Sequence, residues 1–148
     1  MKLPRYQLAS GDNLTTFEFI SEGPRGEIVK LIQFTKTNYK DVFNLAFGDK
    51  NKKTGRLDDK VISNNGDSEK VLASVVDGLY AFTYQNPEAW IYATGSTKAR
   101  TRLYRMGITK YLNEIKVDYE IFGEVKKKWF LFEKGKEYDA FLVRRKKV

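Results

Sequence analysis

The sequence predicts an α+β domain, a mostly antiparallel sheet with two main helices packed on it and a central strand that turns through Gly-Ser-Thr into a helix. Three observations carry that prediction. β-rich segments gather at both ends of the chain, two long stretches between them repeat apolar residues at three- and four-residue spacing, and glycine- or proline-bearing turns separate these segments. At 148 residues, 41% of them hydrophobic, the chain is expected to form one domain, 1–148, with a real core.

Taken in order, LTTFEFI at 14–20 alternates, with Phe17 and Phe19 on one face, and IVKLIQF at 28–34 is β-rich. SEGPRG between them opens a turn, because glycine reaches positive φ and proline presets φ, so the pair reads as a hairpin. A third strand is expected over 42–47, followed by a loop in the polar KNKKTGRLDDK and a short strand over 61–63. Capping residues then crowd Asn64-Asn65-Gly66-Asp67-Ser68-Glu69, where a helix should start. Val71, Leu72, Val75, Val76, Leu79 and Phe82 give it one buried face as far as Tyr84, and Asn86-Pro87 ends it. The short aromatic run 90–94 reads as a buried central strand. A second helix should run from Gly95-Ser96-Thr97 to Ile115, burying Tyr104, Ile108, Tyr111 and Ile115, with Gly107 as a place for a local break. The remaining strands fall at 117–122, 129–132 and 138–143, separated by turns at Gly123-Glu124 and Lys134-Gly135-Lys136.

Composition excludes much chemistry. With no cysteine and no histidine, Cys/His zinc sites, disulfides, thiol nucleophiles and imidazole bases are ruled out. Nothing in the sequence resembles a secretory signal or reaches the length of a membrane span, so a cytoplasmic protein with no membrane partner is expected. The net charge of +8 is uneven: residues 1–94 hold 12 Lys/Arg against 12 Asp/Glu, and residues 95–148 hold 15 against 7. A basic third beside a neutral remainder is the pattern of a surface that attracts polyanions, although ordinary solvation gives the same count.

IYATGSTKARTRLYRMGI places a strand, a Gly-Ser-Thr turn and a helix in succession. A helix start has unsatisfied N–H groups and partial positive charge, Gly95 lets a ligand approach the backbone, and Ser96 and Thr97 add hydroxyls. Capping alone also explains Ser96 and Thr97. Lys98, Arg102 and Arg105 project toward solvent as a docking surface, whereas Arg100 lies about 40° from Tyr104 on the inward side. An inward arginine needs a partner, either a carboxylate from the Asp49, Asp58, Asp59 or Asp67 region or a phosphate gripped bidentately. Tyr104 and Trp129 are candidate base-stacking residues, Trp129 because it directly follows Lys126-Lys127-Lys128; packing is the favoured role for both. No metal is expected, Asp58 and Asp59 being the least poor ligand source in a segment that fits turns and caps better.

On FGDKNKKTGRLDDKVISNNGD with KVLASV, on ATGSTKARTRLYRMGI and on YDAFLVRR, the chain resembles a family of small uncharacterised bacterial proteins sharing GST-x-ARTRLYR. The resemblance implies a bacterial cytoplasmic setting and an intact single domain, and it brings no catalytic residues.

The residues favour a phosphate-directed binding protein, with nucleic acid as partner, built on Gly95, Ser96, Thr97 and Arg100 with Lys98, Arg102 and Arg105 around them. Two other classes share these features. One is an interaction module, an inhibitor or accessory subunit, docking an acidic protein. The other is a histidine-independent ribonuclease-type toxin using Lys, Arg and Tyr. A binder of a small anionic metabolite would need a concave pocket beside Gly95. No cofactor is expected.

Overall fold

The computed structural model describes residues 5–10, 15–58 and 63–147. Among these residues, nine strands form one mixed, mostly antiparallel sheet, accompanied by three helices. The strands are β1 (Ala9–Ser10), β2 (Thr16–Gly23), β3 (Gly26–Lys36), β4 (Val42–Lys50), β5 (Leu57–Asp58), β6 (Trp90–Ala93), β7 (Tyr119–Val125), β8 (Lys128–Leu131) and β9 (Ala140–Arg145). The helices are α1 (Ser68–Gln85), α2 (Lys98–Lys110) and α3 (Leu112–Asp118). The hydrogen-bonded order is β1-β2-β3-β4-β6-β9-β7-β8, with β5 on β4. β4 and β6 pair in parallel, while β1–β2, β2–β3, β4–β5, β6–β9, β7–β9 and β7–β8 are antiparallel.

The chain forms two compact units, Met1–Phe34 with Ala46–Phe82, and Thr35–Leu45 with Thr83–Val148. In the first, the predicted hairpin closes with Gly23 opposite Gly26, Gly26 taking a φ of 86°. The register sets Phe17 opposite Ile32 and Phe19 opposite Lys30, all buried. The apolar face of α1 lies buried as its spacing predicts; Phe82 stacks on Phe34 with centroids 4.2 Å apart, and Gly78 lets Ile32 come close. Polar groups in this core are paired. Lys30 Nζ donates to Asp49 Oδ1 at 2.6 Å and to the Ser63 carbonyl at 3.0 Å. Asp67 Oδ2 accepts from the Tyr6 and Ser21 hydroxyls at 2.6 and 2.5 Å, and Asn65 Nδ2 donates to the Gly26 carbonyl at 2.8 Å.

In the second unit β6 lies between the first residues of β4 and β9, central as expected. It is not buried on both faces: Ile91 and Ala93 are buried, but Trp90 and Tyr92 are only half-buried. Beneath the sheet, Ile91, Phe141, Val143, Ile121 and Tyr119 form a core with Tyr104, Tyr111 and Ile115 of the helical segment. The helix breaks at Tyr111, not at Gly107, because Tyr111 takes φ −106° and ψ 16° while its N–H still reaches the Gly107 carbonyl.

Three further boundaries move. Leu57–Asp58, expected as loop, pairs with β4. Val117 belongs to α3, and β7 begins at Tyr119. The turn expected at Gly123-Glu124 lies instead at Lys126-Lys127, whose φ angles of 49° and 65° make the two-residue hairpin turn that matches strand twist. Gly123 stays in the strand because the Tyr138 ring packs where its Cβ would stand. Of the short strand expected over 61–63, residues 61 and 62 lie outside the described residues, and Ser63 is not in a strand. No helix among the described residues is long and apolar enough to cross a membrane.

Candidate anion-binding cleft

The strand-turn-helix unit forms as predicted, and its geometry shows what each residue of the turn does. β6 ends at Ala93, and the Thr94 hydroxyl then donates to the Asp139 carbonyl at 2.9 Å, tying the turn to the start of β9. At Gly95 a Cβ would run into Arg100 Cβ and the Thr101 backbone nitrogen, so the chain can double back this tightly only with glycine. The Gly95 N–H donates to Thr101 Oγ1 at 3.0 Å, and that hydroxyl donates in turn to the Thr97 carbonyl at 3.2 Å. Thr97, extended at φ −135° and ψ 164°, caps α2 by accepting the Arg100 N–H at 3.2 Å. Gly95 and Thr97 are therefore occupied in building the turn, the capping role that the sequence left open beside the anion cradle.

Beside this turn lies a cleft of about 670 Å³. One wall is Gly95, Ser96, Thr97 and the α2 side chains Lys98, Arg102 and Arg105. The other comes from the β7–β8 hairpin and the approach to β9, with Val125, Lys126, Glu137, Tyr138 and Asp139. Asp139 holds that wall in place: its N–H donates to the Glu124 carbonyl at 2.7 Å, and its Oδ2 accepts the Lys126 N–H at 3.2 Å. Lys126 keeps a left-handed backbone there, a conformation that costs an L-residue about 1–2 kcal/mol and that this hydrogen bond helps to hold.

Four cations and two carboxylates thus line one cleft. Among the described residues, none of Lys98, Arg102, Arg105 and Lys126 forms an ion pair. Lys98 and Arg102 are exposed, as their helix positions predict, while Arg105, expected to face solvent, is half-buried. Arg100 points the other way. It is 6% exposed and does not line the cleft. Of the carboxylates weighed for it, Asp49 pairs with Lys30 and Asp67 with the Tyr6 and Ser21 hydroxyls.

The two candidate stacking residues separate cleanly. Tyr104 is buried, its hydroxyl donating to the Leu45 carbonyl at 3.3 Å, which makes it a core residue. Trp129 is 39% exposed on β8. Tyr92, two residues before Thr94, meets Trp129 edge to face with centroids 6.2 Å apart. Burial raises the pKa of the Tyr92 hydroxyl above its ordinary value, and Glu124 pushes the same way.

Glu137 and Asp139 were not singled out from sequence as members of the site, and Lys126 entered only as part of the lysine run before Trp129. Only the folding of the hairpin beside α2 brings Lys126 to the cleft, opposite the α2 side chains. Among the described residues no group of three or more acidic side chains could hold a metal; Asp58 lies on β5, and Asp59 is outside the described residues.

No curated protein and no solved structure matches the chain. Residues 2–146 match a family profile almost end to end, through both units and the strand-turn-helix segment. In keeping with the resemblance carried by that segment, the chain belongs to the Family of unknown function (DUF6934).

Proposed function

We propose that this protein binds nucleic acid, taking backbone phosphates into the cleft between α2 and the β7–β8 hairpin. The observation that carries the reading is the set of four cations, Lys98, Arg102, Arg105 and Lys126, converging from two elements without a carboxylate partner among the described residues. Four cations against the two carboxylates of Glu137 and Asp139 leave a positive surplus in the concavity that an anion would answer. Arginine suits phosphate in particular, because its planar fork of N–H donors matches the phosphate oxygens two at a time. The Gly95–Thr97 turn serves as the rigid platform from which α2 presents these side chains, with Ser96 at the cleft's edge. Arg100 is buried on the inner side of the same helix.

The test is binding of labelled single- and double-stranded RNA and DNA at roughly 50 and 200 mM salt. Affinity should fall steeply between the two, and Arg102→Ala with Arg105→Ala should lower the slope of log affinity against log salt by about 2. Melting of that double variant should stay within about 0.5 kcal/mol of the parent, since neither side chain is paired. Absence of binding at the lower salt, or an unchanged slope, would overturn the reading.

A further inference from the structure

We infer that the ligand is single-stranded, its bases lying on the open face of the second unit's sheet while its backbone enters the cleft; this rests on the nucleic-acid reading above. Strand register places the relevant side chains on one face. Tyr92 pairs with Leu142, Leu142 with Phe122 and Phe122 with Leu131, while Trp90 pairs with Arg144 and Trp129 with Glu124. Trp90, Tyr92, Phe122 and Leu142 stay half-buried, and Trp129 and Leu131 are exposed. The opposite face carries the buried Ile91, Phe141, Val143 and Ile121. An aromatic sheet surface left open to solvent while its other side builds the core costs apolar exposure that a folded domain avoids unless something covers it.

The rings on this face suit bases. Trp90 and Phe122 lie 6.1 Å apart, and Tyr92 and Trp129 meet edge to face at 6.2 Å. Charge tells where the backbone of such a ligand runs. On the sheet itself Arg144 Nε donates to Glu120 at 2.9 Å and its guanidinium lies 4.3 Å from the centre of the Trp90 ring, so that cation is engaged. Glu124 adds a negative charge beside Trp129. Phosphates are therefore unwelcome over the strands and welcome at one end, where Lys126, Lys127 and Lys128 lead into Trp129 and where Thr94, two residues beyond Tyr92, enters the cleft. Phosphates in the cleft and unpaired bases on Tyr92 and Trp129 is an arrangement open to a single strand. A duplex keeps its bases stacked inside and has no face to offer these rings.

The probes are an oligouridylate of about twelve nucleotides, a blunt duplex of the same length, and an abasic strand of the same length and charge. Wild-type protein should bind the single strand at least tenfold more tightly than the duplex or the abasic strand, with quenching of tryptophan fluorescence. Trp129→Ala, a change on an exposed edge strand, should weaken single-strand binding about tenfold and leave the salt slope unchanged, and Trp129→Phe should restore most of it. If all three probes bind alike and Trp129→Ala matches the parent, the inference fails while the phosphate reading stands. If nothing binds at low salt, both fail together. A concentration-dependent dimer that Trp129→Ala abolishes, without preference for the single strand, would assign the face to pairing between protein chains and overturn the inference.

Discussion

Each unit contains a surface cavity of similar size, about 610 Å³ in the first and about 670 Å³ in the second, yet the two treat charge in opposite ways. The cation lining the first, Arg5, faces Asp77 at 3.6 Å on the same wall. The first unit's interior follows the same rule, with Lys30 on Asp49 and Asp67 under two hydroxyls. The second cavity gathers four cations that form no ion pair among the described residues. Polar groups answered from within the chain report how the fold is held. A surplus of four cations over two carboxylates around a concavity is the feature on which the proposed anion binding rests.

The comparison breaks most visibly at Asp49. Asp49→Ala should destabilise the protein by about 3–5 kcal/mol in urea unfolding, because among the described residues it leaves the Lys30 ammonium, its side chain 3% exposed, with only the Ser63 carbonyl. Adding Lys30→Met to Asp49→Leu should recover most of that loss. Equal damage from the double variant would show that the pair is needed for more than neutralising its own charge.

A smaller effect sharpens the other side. Gly95→Ala forces a Cβ against the Arg100 and Thr101 backbone, so it should cost about 1–3 kcal/mol and loosen the start of α2. Hydrogen exchange should then quicken at the Arg100 and Thr101 amides, both bonded to Thr97. Unchanged exchange there would mean that the turn has room the geometry denies.

The smallest effect is one of pH. Burial raises the Tyr119 pKa above 10.0, and Tyr6 and Tyr92 are raised for the same leading reason. A pKa higher in the fold than in the open chain favours folding while the group is protonated. That contribution is whole below pH 10.0 and is lost as pH climbs above it toward the folded value. Stability followed by denaturant midpoint should therefore be level up to about that pH and decline beyond it, less steeply in Tyr119→Phe. A midpoint in the parent that is flat through the tyrosine range would contradict the raised values.

Much of this architecture was legible in the chain because it depends on spacing. Val71 to Phe82 fall on one side of a helix whatever surrounds them, the Phe17/Phe19 alternation survives in β2, and Gly95-Ser96-Thr97 announced the start of α2. Arg100 could be placed inward and Arg102 outward by helical phase alone. What phase cannot supply is the company a residue keeps across the sheet. Gly123 looked like a turn and is a strand residue under the Tyr138 ring, while Lys126-Lys127, without the glycine that such a turn prefers, make the bend. Helical phase already placed Tyr104 inward, but only the tertiary packing left Trp129 exposed at the sheet edge.

By itself, then, the sequence determined the elements, the inward and outward sides of the helices and the basic third of the chain, since these follow from local periodicity and composition. Only the tertiary structure decided which basic residues meet. Lys126 joins Arg102 and Arg105 across a cleft, and Tyr92 joins Trp129 across strands β6, β9, β7 and β8, because register and topology bring together residues that no sequence interval relates.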